Sequence, residues 1–289
     1  QQVDIRMKKI IPIYLMIMTS VFLITPNSAH AECAIDGSDV VTVTDNNCSV
    51  QPASYGITMY QLYLCTSAPT APTTSAAGVY TSCNLVLSLD SGSRVDMTGT
   101  GNAGSFPGAT FTRPPPATYT HGYMLLDNVF YVKHAAKFNE SKEGSKSGTD
   151  NGVFCATEAG TGDESTGAST SCGSSAITAG EWGAQLTSFN GSASCVATVS
   201  VSNLGSTSNS ITGVLETSAG IRTADCSDVD KLAGIQTFGT PIVITKDLKS
   251  FNVAFQVSEG MTIWENGATP PVINMGSGPF QAIITTTDY

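Results

Sequence analysis

Charge is scarce in this chain. Only 12% of its 289 residues are Asp, Glu, Lys or Arg, and 13 basic residues face 23 acidic ones, for a net charge of −10. Binding a phosphate backbone needs clustered Lys and Arg, so nucleic acid is not expected as a partner. Histidine is scarcer still, with 3 in all, and there is no His-Glu-x-x-His, no Gly-x-Ser-x-Gly and no Cys-x-x-Cys. Those gaps remove the sequence signatures of zinc peptidases, serine hydrolases and compact zinc sites. Beyond residue 31 no segment sustains a helical apolar period, and none supplies the roughly twenty apolar residues of a membrane-spanning helix.

The longest apolar run, 10–24, is about fifteen residues and contains Pro12. It follows Met7-Lys8-Lys9 and precedes Ala29-His30-Ala31. That order is the pattern of a secretory signal peptide with a small-x-small cleavage site, so residues 1–31 are expected to be upstream sequence and leader, and the mature chain to begin at Glu32. Removing Arg6, Lys8 and Lys9 against the single Asp4 leaves the mature chain more acidic still. Its destination is the periplasm, the cell surface or the medium. Cys33 follows Glu32 and not a small residue, which excludes a lipoprotein reading and leaves that thiol free to pair.

All 8 cysteines lie beyond the leader. An even set carried into an oxidising compartment is expected as disulfides. Eight cysteines admit 105 pairings, of which the sequence-neighbour set joins Cys33 with Cys48, Cys65 with Cys83, Cys155 with Cys172 and Cys195 with Cys226. Zinc is the competing reading, and the wide spacings count against it.

Ser, Thr and Gly fill the polar positions, a composition of strands and turns. The clearest strand is 251–258, where Phe251, Val253, Phe255 and Val257 alternate with Asn252, Ala254, Gln256 and Ser258. Further candidates are 56–65, 84–89, 195–203, 211–217, 241–246 and 280–287. Residues 119–133 read as a hairpin turning at Asp127-Asn128, since both residues tolerate the positive φ of a tight turn. Residues 66–77 and 139–175 read as exposed loops. The expected fold is all-β: a disulfide-stapled β-sandwich of one or two domains after a cleaved signal peptide. The expected division runs 32–138, a flexible linker 139–152, and 153–289. Both regions contain a strand that ends in Cys, a polar loop, and a closing Thr-Ser-Cys, at spacings of 18 and 17 residues, which suits a duplicated β domain.

The run Pro114-Pro115-Pro116-Ala117-Thr118-Tyr119-Thr120 resembles the Pro-Pro-Gly-Thr-Tyr-Thr motif that opens a strand in transthyretin-like β-sandwich domains of exported proteins, with Ala117 in place of glycine. The resemblance implies a sandwich and transfers no activity.

Candidate sites are few. His121 and His134 are the histidines of the mature chain, and a hairpin at 127–128 would bring them near one another. Asp225, Asp228 and Asp230 present alternating carboxylates that suit calcium as a cofactor. Trp182 and Trp264, with His121, are the candidate ligand-binding side chains, since an exposed aromatic on a β face can seat a sugar ring. The first expectation is therefore a non-enzymatic structural or adhesive protein of the cell surface, a filament or assembly subunit that self-associates or meets a surface glycan or protein. The alternative is an extracellular carbohydrate- or small-ligand-binding module assisted by calcium. A glycosidase with paired carboxylates comes third, and an outer-membrane barrel fourth.

Overall fold

A computed structural model of the chain describes residues 27–28, 31–43, 46–98, 106, 108–146, 150–163, 167, 169–189, 194–201 and 209–289. The apolar run of the expected leader lies outside them. Among the described residues there is no helix. The strands in the first half are β1 (Asn27–Ser28), β2 (Ala34–Ile35), β3 (Val40–Thr42), β4 (Asn47–Val50), β5 (Ser54–Cys65), β6 (Cys83–Asp96), β7 (Thr110–Phe111), β8 (Ala117–Lys133) and β9 (Ala135–Gly144). Short strands follow: β10 (Gly152–Thr157), β11 (Gly160–Asp163), β12 (Thr170–Gly173) and β13 (Trp182–Gln185). The rest are β14 (Val196–Val201), β15 (Asn209–Glu216), β16 (Lys231–Ile244), β17 (Leu248–Gln256), β18 (Met261–Glu265), β19 (Val272–Ser277) and β20 (Gln281–Asp288).

These strands make three sheets. The largest has 10 strands and runs β1-β14-β15-β16-β8-β5-β6-β7, with β13 also on β8 and β11 on β13. A second sheet of 8 strands runs β12-β10-β9-β19-β18-β4, with β3 on β9 and β2 on β3. The third is the antiparallel pair β17-β20 alone. Packed against one another they enclose a sandwich-like core, because each strand carries an apolar stripe at every second residue and must bury it.

The central strand is β8. Met124, Leu126, Phe130 and Val132 all point into the core, and Asn128 holds the same alternation. The turn expected at Asp127-Asn128 does not form. Instead Asn128 is buried, its Nδ2 donates to the Leu186 carbonyl at 3.3 Å, and its own carbonyl accepts the Leu186 N–H at 2.8 Å. Turn propensity loses here to an inward stripe that continues unbroken on either side. At its start, Tyr119 reaches back to donate to the Pro115 carbonyl at 2.7 Å, fixing the angle at which the proline run feeds the strand.

The linker expected at 139–152 is strand as far as Gly144. β9 is pinned by Lys142, whose side chain is only 1% exposed and ion-pairs with Glu265 of β18 and with Glu140. The boundary expected near residue 140 is also crossed by one sheet, for β8 takes β16 and β13 as neighbours along one edge and β5 along the other. Buried side chains from Cys33 to Ala282 form one contiguous cluster. At its centre Tyr55, Phe130, Phe255 and Phe280 pack with ring centroids 5.8–6.2 Å apart, and the Tyr55 hydroxyl donates to the Gly278 carbonyl at 2.9 Å.

Much of 150–175, expected as an exposed loop, is also strand. β11 and the turn that follows it lie against the indole of Trp182 on β13, which is 6% exposed. A Cβ added to Gly162 would come within 2.9 Å of that ring, and one on Gly167 within 2.5 Å. The glycines of this stretch let backbone lie flat on a large aromatic, a reason invisible to a reading that counts glycine as loop.

All four disulfides join sequence neighbours: Cys33–Cys48, Cys65–Cys83, Cys155–Cys172 and Cys195–Cys226. Cys65 faces Cys83 directly across β5 and β6, and Cys155 faces Cys172 across β10 and β12, so the two similar stretches share a local geometry. Four such bonds suit an oxidising, extracellular or periplasmic environment. Among the described residues no helix is long and apolar enough to cross a membrane.

Candidate functional site

The outer face of the large sheet carries the main concentration of titratable side chains. A register shift between Met59 and Gln61 leaves Tyr60 of β5 out of the ladder with β8, and its hydroxyl lies within hydrogen-bonding reach of Asp127 of β8. Asp127 stands opposite Lys231 of β16, and Lys231 opposite Glu216 of β15. Four neighbouring strands thus present the row Tyr60, Asp127, Lys231, Glu216. Lys231 ion-pairs with Asp230 and lies 5.2 Å from the Tyr60 ring centroid, an arrangement that holds its pKa above the usual lysine value. Burial and the Asp127 carboxylate both push the Tyr60 phenol up.

Glu216 is 3% exposed, and its Oε1 has no hydrogen-bond partner among the described residues. Loss of solvation raises its pKa to about 7, against a smaller opposing pull from Lys231. Next to it, Tyr80 stacks on Tyr123 at 4.1 Å between centroids, and Tyr63 tilts against Tyr123 at 5.5 Å. Burial raises all three phenols. This second, smaller core is roofed by the loop 66–82, closed by Cys65–Cys83, and is braced by the loop 217–230, which Cys195–Cys226 ties back to β14. The two loops meet where the Arg222 N–H donates to the Thr73 carbonyl at 3.0 Å. The staples therefore hold a roof over a buried carboxyl and three phenols.

The other expected site residues are scattered. Trp182 is enclosed by glycines and offers no surface platform; Trp264, half-buried on β18, stands across from Asn274. His121 lies near the start of β8 and His134 just past its end, and at about 3.3 Å per residue the strand separates them by about 40 Å. The unbroken strand thus removes the pairing a hairpin would have given. His121 contacts the Thr120 hydroxyl at 2.8 Å, and burial lowers its pKa. His134 is pushed down to about 4 by burial. Asp225 accepts from both the N–H and the hydroxyl of Ser227, Asp228 is exposed, and Asp230 is bound to Lys231. Among the described residues no group of three or more His, Cys, Asp or Glu side chains is arranged to hold a metal ion.

Among the described residues, two hollows on the surface stand out. One, of about 290 Å³, separates β7 from the start of β17 and is lined by Val86, Phe111, Arg113, Pro114, Leu248 and Phe251; Phe111 is 59% exposed. The other, of about 270 Å³, lies beside Asp39, Lys137, Phe154 and Ile177. Both fall below the roughly 300–1,000 Å³ of typical small-molecule sites.

The remaining unusual feature is backbone. Among the described residues the pair β17-β20 joins no other strand by a ladder. Its β20 side is held to β16 by one side chain: the Gln236 amide donates to the Ala282 carbonyl and accepts the Ala282 N–H, both at 2.9 Å. Since Ala282 turns both backbone groups away from β17, its partner Phe255 does the same on the opposite side, and so in turn do Val253 and Phe251. These residues expose an edge of N–H and C=O groups with no backbone partner among the described residues. The sequence showed the alternation of β17; its unpaired edge depends on which strands lie alongside.

No protein family profile, curated protein or solved structure matches this chain.

Proposed function

We propose that the protein is an exported structural or adhesive component of the cell surface that works by association through a sheet edge. The observation that carries this reading is the open edge of β17, a row of backbone groups with no partner among the described residues, on an apolar, alternating strand. Four disulfides and the pattern of a secretory leader support an extracellular or periplasmic setting. Shallow hollows and a titratable cluster sealed beneath stapled loops favour a binding protein over a catalyst. The test is the oligomeric state of the purified chain lacking residues 1–31, by light scattering across a wide concentration range, with electron microscopy of the concentrated sample. Concentration-dependent assembly supports the proposal; a monomer at every concentration overturns it.

A second reading is a module for a polar ligand such as a sugar, favoured by the half-buried outer row Tyr60, Asp127 and Lys231. In that case Lys231→Ala abolishes retention on a glycan panel and leaves assembly unchanged.

A further inference from the structure

We infer that the open edge of β17 is a self-complementary seam, and that two copies of this chain join there in an antiparallel β17-to-β17 pair centred on Val253. This deepens the proposed function and rests on it.

The sequence of the strand carries the argument. Residues 251–255 read Phe-Asn-Val-Ala-Phe, so the apolar face Phe251, Val253, Phe255 is the same in either direction about Val253, with uncharged residues between. Antiparallel pairing therefore sets Val253 against its own copy, Phe251 against Phe255 of the other chain, and Asn252 against Ala254. Aromatic side chains matched in this way are among the favourable cross-strand pairs. No charged residue lies within 250–256 and no proline interrupts it; the one charge on β17, Lys249, stands before the paired stretch. No like charges are brought face to face.

The hydrogen-bond phase agrees. The residues that turn both backbone groups outward, Phe251, Val253 and Phe255, are the ones this centre would place in hydrogen-bonded pairs, closing both bonds at each position. Phe251, Val253 and Phe255 also pack on the core, so joining the edges extends a packed face instead of exposing one. The outward positions 252 and 254 fall in non-hydrogen-bonded pairs, where Cα atoms approach to about 4.5 Å. A groove of about 290 Å³ between β7 and residues 248–251 borders the start of this edge.

Two variants test the seam. Asn252→Lys with Ala254→Lys puts lysine opposite lysine twice, and should raise the concentration for half-association about tenfold while the far-UV spectrum stays unchanged. Mixing this protein with the Asn252→Glu, Ala254→Glu counterpart should restore association. Independently, Asn252→Cys and Ala254→Cys proteins, each made singly and then mixed under mild oxidation, should form an interchain disulfide far more readily than either alone, because about 4.5 Å between Cα atoms lies within disulfide reach. Assembly that withstands the double lysine variant, or cross-linking no better in the mixture than in the single proteins, overturns the seam and leaves surface assembly standing. A wild-type protein that never associates overturns both.

Discussion

Replacing Glu216 with glutamine should make the protein more stable above neutral pH, because it removes a carboxylate that the fold holds away from water. Glu216 is buried under the roof formed by loops 66–82 and 217–230, and Lys231, its neighbour across the ladder, is bound to Asp230. In the unfolded chain its carboxyl titrates near 4.5; in the folded protein it titrates at about 7. Between those values the native state holds the proton that the unfolded state has released. Stability therefore falls as pH rises from about 4.5 to about 7 and is flat above that window. At about 1.4 kcal/mol per pH unit the gap corresponds to about 3 kcal/mol, and solvent screening reduces it to about 2 kcal/mol. Glu216→Gln keeps the shape and cannot ionise. At pH 4.5 the two proteins should melt together, and at pH 8 the variant should melt about 4–8 °C higher. Thermal melts with the disulfides intact, at both pH values, read the difference directly. Parallel profiles for variant and wild type would show that Glu216 is solvated or paired in the folded chain, and would refute the picture of a sealed carboxyl.

Lys142→Ala should destabilise by about 3–5 kcal/mol, since it strands Glu265 without its cation, and Lys142→Met with Glu265→Leu should recover most of the loss; urea titrations decide, and equal stability of the single and double variants would contradict the ion-pair account. Replacing Cys65 and Cys83 together by alanine should cost about 3 kcal/mol of stability and should increase proteolysis within 66–82 before anywhere else. Gly162→Ala should destabilise by about 1–3 kcal/mol by overpacking against the Trp182 ring, with a shift in Trp fluorescence; an unperturbed emission spectrum would mean the indole is not enclosed there.

Strands that alternate cleanly were legible from the residues alone. The run 251–258 became β17, and 280–287 became β20, because an apolar residue at every second position has one economical use. β8 was legible only in halves. Asp127-Asn128 carries a strong local turn signal, and what overrides it is a carbonyl of Leu186 that lies far away in sequence. The region 150–175 hid its strands for another reason: its glycines lie against Trp182, so close approach replaces the side-chain pattern by which strands are recognised. The candidate site was the least legible part. Tyr60, Asp127, Lys231 and Glu216 are separated along the chain and meet through register, and the open edge of β17 is a property of its neighbours.

Amide hydrogen exchange at Phe251, Val253 and Phe255, compared between dilute and concentrated protein, tests the central claim most directly. In dilute protein their N–H groups face outward and should exchange within the range of unpaired amides, while Asn252 and Ala254, bonded to β20, stay protected. On association the three outward amides should become protected together, to the extent that the seam is occupied. Association with no change at these three positions, or strong protection of them already in the monomer, would contradict assembly through this edge.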